Sequence, residues 1–113
     1  MSLPAKLKDP TPTRTKRVKS PAHRKWVRSH RCCVPGCDGV PIEAAHVRLG
    51  LPQGEQAGMG MKPGDMWVIS LCSHHHSIQH QMGECAFQYF TKINMVELAK
   101  EFAAKSPHRG KLR

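Results

Sequence analysis

Aromatic side chains are scarce in this chain: three Phe, two Trp and one Tyr among 113 residues, with apolar residues making up 39%. So little material builds only a small core, and a domain of this size often relies on a metal or a disulfide to hold it. Long apolar runs are also missing. None approaches the ~20 residues needed to cross a bilayer, and the opening MSLPAKLKDP has no apolar stretch of the secretory kind. Acidic residues are few as well. Eight Asp and Glu face eighteen Lys and Arg, for a net charge of +10 and a pI near 9.9. Such an excess draws polyanions by counterion release, which makes nucleic acid the expected partner. No basic helix with a broad apolar face is visible, so an anionic membrane is not expected. The five cysteines are odd in number. Without a secretory signal the expected location is a reducing cytoplasm, where clustered Cys and His act as metal ligands rather than disulfides.

The chain divides by composition. Residues 1–20 read as a flexible basic arm: Pro4, Pro10 and Pro12 break helices, while Lys6, Lys8, Arg14, Lys16, Arg17 and Lys19 repel one another. Residues 21–106 read as a single domain and residues 107–113 as a basic tail. Ser20 and Pro21 open a short helix running to about His30, with Trp26 and Val27 on its apolar face. Residues 32–48 suggest a Pro-Gly turn between cysteines followed by a β-hairpin. Residues 49–65 are glycine-rich without periodicity and read as a long loop, in which Met59 and Met61 are expected to pack back on the core. Met66 to Leu71 reads as an apolar strand with Trp67 in the core. A helix is expected from near Cys72 to Gln81, ended by Gly83. Cys85 or Ala86, Phe87, Phe90 and Ile93 then have helical spacing. Asn94 and Glu97 form a capping-box-like start for a last helix, which Ser106 and Pro107 stop.

Two clusters carry chemistry. The first is Cys32-Cys33-Val34-Pro35-Gly36-Cys37; the second runs from Cys72 through His74, His75 and His76 to His80. Zinc takes four soft or borderline ligands in a tetrahedron. A turn can offer two sulfurs and a helix start two further ligands. Cys32, Cys37, Cys72 and His75 satisfy that pattern, and such an ion would tie turn to helix. Spacing leaves Cys33 open in place of Cys32, and does not separate His75 from His76. Cys85 is expected in the core and His74 at the surface. His76 and His80, four apart, share a helix face and can hold one divalent ion.

Three blocks in this order resemble the HNH (ββα-metal, treble-clef-like) endonuclease superfamily, and especially its small phage and prophage members. They are Cys32-x4-Cys37, then Glu43-Ala44-Ala45-His46-Val47-Arg48, then Leu71-Cys72-x-x-His75-His76-x-x-x-His80. Between the second and third, residues 58–67 (GMGMKPGDMW) also match those small members, and the likeness covers roughly residues 24–92. It implies a small zinc-stabilised α+β fold: a zinc-knuckle turn, β-hairpin and helix, followed by C-terminal helices. It also implies metal-dependent cleavage of DNA phosphodiester bonds in recombination, repair or packaging, leaving 5′-phosphates. In that resemblance Cys32, Cys37, Cys72 and His75 hold structural zinc, with Cys32 favoured over Cys33. His76 and His80 hold a catalytic Mg²⁺, Mn²⁺ or Zn²⁺. His46 is the general base, and Arg48 and the arm position the backbone. Two departures stand out: Ala45 occupies a position where many members carry a metal-binding His or Asp, and no Asn is available to orient the base, because Asn94 is the sole Asn. Asp65 and Glu43 are the candidates for either role. The alternatives are a non-catalytic zinc module binding nucleic acid or protein, and a zinc-stabilised hydrolase with another substrate. A homodimer or a licensing protein partner fits an enzyme with one site per chain.

Overall fold

A computed structural model describes residues 17–55 and 62–112. The elements run α1 (Pro21–Val27), β1 (Ile42–His46), β2 (Val68–Cys72), α2 (Ser73–Met82), α3 (Glu84–Thr91), α4 (Met95–Lys105) and a closing 3-10 turn (Arg109–Lys111). The architecture is a small α+β fold: an antiparallel two-stranded sheet with helices packed around it. Of the residues expected in the arm, 1–16 lie outside the described ones, as do Met59 and Met61.

Local chemistry sets the helix ends. Ser20 Oγ accepts from His23 N–H at 3.3 Å, and Pro21 follows at the first helical position. Cys72 ends β2 and caps α2, its sulfur accepting from His75 N–H at 3.4 Å. Gly83, with φ +85, closes α2 where a side chain would be strained. Asn94 Oδ1 accepts from Glu97 N–H at 3.2 Å, so half of the expected capping box forms. Glu97 turns instead to Lys100.

The strand pairing departs from expectation. β1 pairs not with a neighbour inside residues 32–48 but with β2, in the register Ile42↔Cys72 to His46↔Val68. The hairpin is therefore closed by a long excursion, pinned where Val47 N–H donates to Trp67 O at 2.8 Å. Every residue of β2 is buried, and its Ile69, Leu71 and Cys72 form the core with Cys32, Ala45, Val47, Leu51, Trp67, Phe87, Met95 and Ala99. The knuckle between α1 and β1 is fastened to β2 through Cys33 N–H to Ser70 O at 2.8 Å and Ser70 Oγ to Arg31 O at 2.6 Å.

Cys85 is a correction: it is exposed. α3 packs chiefly on α2 and buries Phe87, and Cys85 points about 200° away from that face. Phe90 is 69% exposed and Tyr89 79%, so the apolar spacing of α3 overstates its buried surface. At the ends, the fold reaches further than residues 21–106. Residues 17–20 lie against Asp65, and Leu112 is buried. Among the described residues no helix is long and apolar enough to cross a membrane.

Candidate functional site

α2 starts two sites from adjacent residues. His75 turns toward the knuckle, where Cys32, Cys37 and Cys72 meet it. Among the described residues this is the one group of three or more Cys, His, Asp or Glu whose ligand atoms converge, all within 4.8 Å. The sulfurs of Cys37 and Cys72 are 3.8 Å apart, and His75 Nδ1 stands 3.5, 3.4 and 3.2 Å from Cys32, Cys37 and Cys72. Around a tetrahedral zinc, two sulfurs lie roughly 3.8 Å apart, and a sulfur and a nitrogen roughly 3.6 Å. The donor set and its spacing fit a metal ion such as zinc. Cys33, the rival of Cys32 in the sequence, faces Ser70 Oγ at 3.4 Å and lies outside the group. Burial pushes the Cys32 thiol up to about 11, whereas the Gly39 N–H on its sulfur holds Cys37 below the usual thiol range. Gly39 gives the sulfurs room here: a Cβ would lie 3.0 Å from the Cys72 sulfur, so that side chain would have to shift by a few tenths of an ångström.

One residue further along α2, His76 faces the other way, into a cleft of about 570 Å³ shared by α1, β1, α2 and the start of α3. His76, His80, Glu43, His46 and Arg48 all line it, with Arg24, Arg28, Lys62 and Glu84. The residues singled out in two distant blocks thus come together on one surface. Glu43 Oε1 accepts from His76 Nδ1–H at 2.9 Å, so His76 Nε2 keeps its lone pair. That nitrogen stands 3.1 Å from His80 Nε2. Two imidazole nitrogens on one ion lie roughly 3.0–3.4 Å apart, between octahedral and tetrahedral geometry. The pair could hold a single divalent ion or share a ring-to-ring hydrogen bond, and a carboxylate backs the far ring nitrogen, as is common at metal-binding histidines. Ala45 is fully buried in the core and offers no donor.

His46 sits opposite, at the end of β1. Its Nε2 is 2.9 Å from Asp65 Oδ1, and its side chain is 15% exposed against 0% for Asp65. Asp65 does not line the cleft; it stands behind the imidazole. With Nε2–H donating to Asp65, Nδ1 carries the lone pair. Asp65 also accepts from Ser20 N–H at 2.8 Å, Arg24 Nε at 2.9 Å and Arg17 Nη2 at 3.2 Å. Burial alone would raise the pKa of Asp65. The Ser20 N–H, the His46 hydrogen bond and the Arg24 charge outweigh that and hold the carboxyl below its ordinary value. For His46, burial lowers the pKa below the ordinary 6.5 against the opposing pull of Asp65. The downward shift favours the neutral imidazole.

Arg17, Ser20 and Arg24 were not singled out in the sequence. They carry no spacing signal: Arg17 looks like any other charge of the basic arm, and Ser20 is already spent as a helix cap. Arg48 contributes its side chain to the cleft while its N–H and that of Leu49 are gripped by the Glu84 carboxylate at 2.9 and 3.3 Å. Glu84 was not anticipated either.

Comparison with known proteins gives a family match and one relative. Residues 7–104 match a family described as "Protein of unknown function (DUF968)". The chain is also 36% identical over 69 residues to the "Uncharacterized protein YdfU" of Escherichia coli (strain K12). That stretch is 61% of this chain but 18% of the relative, so the chain corresponds to a minor part of that longer protein. No solved structure matches.

Proposed function

Since the chain belongs to the DUF968 family, whose description assigns no activity, we propose a function from the cleft itself: an endonuclease that hydrolyses DNA phosphodiester bonds with the help of a divalent metal. One observation carries this reading. A histidine oriented by a buried carboxylate and a pair of converging histidines line the same cationic cleft. We read the knuckle, the strand pair and α2 as a ββα-metal, treble-clef-like core. Its Cys32, Cys37, Cys72 and His75 would hold structural zinc, joining the knuckle to β2 and α2.

In the cleft, Asp65 fixes the tautomer and orientation of His46 and leaves Nδ1 to take a proton from the attacking water. Asp65 thus takes the place of the absent Asn. Arg48 draws the phosphate backbone against β1. Glu43 holds the His76 ring so that Nε2 faces the same space as His80 Nε2. A Mg²⁺, Mn²⁺ or Zn²⁺ bound by His76 and His80 would supply charge stabilisation at the phosphate and the leaving oxygen. The +10 net charge supports a polyanionic substrate.

The test is direct. Supercoiled plasmid incubated with the protein and Mg²⁺ or Mn²⁺ should be nicked. His46→Ala should lower the rate by ~10²–10⁴-fold, the usual worth of a general base, with the fold intact. A second reading, a zinc module that binds nucleic acid without cutting it, is favoured by Ala45, which leaves the His76/His80 pair one donor short. Plasmid that stays intact in every metal while binding persists would decide for the module.

A further inference from the structure

α1 and its C-cap residue give the cleft two arginines one helical turn apart, Arg24 and Arg28. The acids nearby are already engaged: Glu43 on His76, and Glu84 on the N–H groups of Arg48 and Leu49. Among the described residues no carboxylate pairs with Arg28. Arg24 differs from it. Its Nε donates to Asp65 Oδ2 at 2.9 Å, and the other oxygen of the same carboxylate meets His46 Nε2 at 2.9 Å. A guanidinium bound through Nε still has an Nη edge to offer an anion, in the planar fork that suits phosphate oxygens.

We propose that Arg24 and Arg28 form a phosphate-binding site on the α1 wall of the cleft, engaging the backbone of a nucleic-acid strand, and that Arg24 ties occupancy of this site to the setting of His46 through the carboxylate they share. The proposal rests on reading the cleft as a nucleic-acid site, but it does not need cleavage. A phosphate on the Nη edge draws the guanidinium toward the cleft and weakens its hold on Asp65. Arg17 and Ser20 N–H keep the carboxylate in place, so the share passed to His46 rises. Arg28 has no such link. Arg24 is a positioning residue for His46 as well as a phosphate contact; Arg28 is a phosphate contact alone.

That asymmetry is the experiment. Binding of a 20-base-pair DNA duplex to the full chain is measured across salt concentrations without added divalent cation, and the His46 imidazole is followed by NMR titration with and without duplex. Arg28→Ala should bind several-fold more weakly, with a salt slope shallower by ~0.9, the worth of one phosphate contact. His46 should still respond to duplex as in the wild type. Arg24→Gln should show the same loss of slope. In addition, the His46 midpoint should rise in the free protein, because a competing cation has gone, and its response to duplex should vanish. Arg24→Lys should keep the slope and lose most of the response. If Arg24→Gln fails to fold, the Arg24→Lys and Arg28→Ala pair makes the same decision. Wild-type slopes in both Arg24→Gln and Arg28→Ala would overturn the phosphate site. A His46 response to duplex that persists in Arg24→Gln or Arg24→Lys would overturn the coupling. A protein that binds with these slopes yet leaves plasmid intact would remove the nuclease reading and leave this site standing; nicking with unaltered slopes would do the reverse.

Discussion

His75 and His76 are neighbours on α2, yet they serve two regions with opposite physics. The first is closed. Three sulfurs and a ring nitrogen stand at zinc-like separations, two of the cysteines are buried, and the surrounding backbone is tied to β2. The second is open: a charged cleft in which two ring nitrogens face one space. On the function proposed above, the difference separates a site that would hold a structural ion from one that would handle a ligand. Closed sites complete their coordination with protein, whereas working sites keep a position free. The 100° between consecutive helix residues is enough to place both in one turn.

The sharpest way to break the comparison is to remove a sulfur. Cys37→Ser or Cys72→Ser should cost most of the stability, because structural zinc contributes ~10 kcal/mol or more of folding free energy. Metal analysis and thermal unfolding should show zinc lost and the transition abolished or greatly lowered. His80→Ala, the control from the open region, should keep both. Unchanged zinc content in Cys37→Ser would erase the distinction.

Asp65→Ala comes next. It leaves Arg17 and Arg24 without their shared carboxylate and should cost ~3 kcal/mol in a denaturant titration, as does breaking other buried ion pairs. Cleavage should fall as well, since His46 loses its orienting partner. A stable variant with full activity would show that the carboxylate supports neither. Glu43→Ala should act on the open region alone. Second-sphere carboxylates are worth ~10–100-fold in metal affinity, so the variant should need that much more Mn²⁺ for half-maximal nicking at unchanged zinc content. A loss of zinc in its place would mean the two regions are coupled.

The smallest effects are those of pH. His46 lies below its ordinary pKa of 6.5, with burial the main cause. The base form persists into mildly acidic solution, and the acid limb of the nicking profile should have its midpoint under 6.5. His23, buried with its Nδ1 on Ser106 Oγ at 2.8 Å, is also lowered, chiefly by burial. Because the unfolded chain takes up that proton more readily, its contribution to stability is present above 6.5 and lost as the pH falls from there toward the folded-state value. Urea midpoints at pH 7.5 and 5.5 should differ less in His23→Gln than in the wild type. An equal difference would clear His23 of any role.

Much of the closed region was legible in the sequence, because its ligands come from two short local motifs. The helix starts at Ser20, Cys72 and Asn94 were legible for the same reason: a cap is a matter of a few adjacent residues. Pairing across distance was not. β1 reads as half of a local hairpin because nothing in five residues says that the partner begins 22 positions later, at Val68. The partners of Asp65 were hidden in a different way. Arg17 and Arg24 belong to a crowd of eighteen cations that differ only in three dimensions. Cys85 and Phe90 misled because helical spacing marks which residues share a face, not whether another element covers it.

The strand excursion has an evolutionary consequence. Val47 and Trp67 clasp its two ends, and Glu84 anchors the first residues beyond β1. Its return delivers Asp65 to the His46 imidazole, and its start places Leu51 in the core. A change of length next to either fastening would move Leu51 out of the core or Asp65 off His46, so the spacing at both ends is held fixed. Relatives that keep the pairing of His46 with Asp65 are expected to keep the short spacing from Asp65 to Trp67 as well.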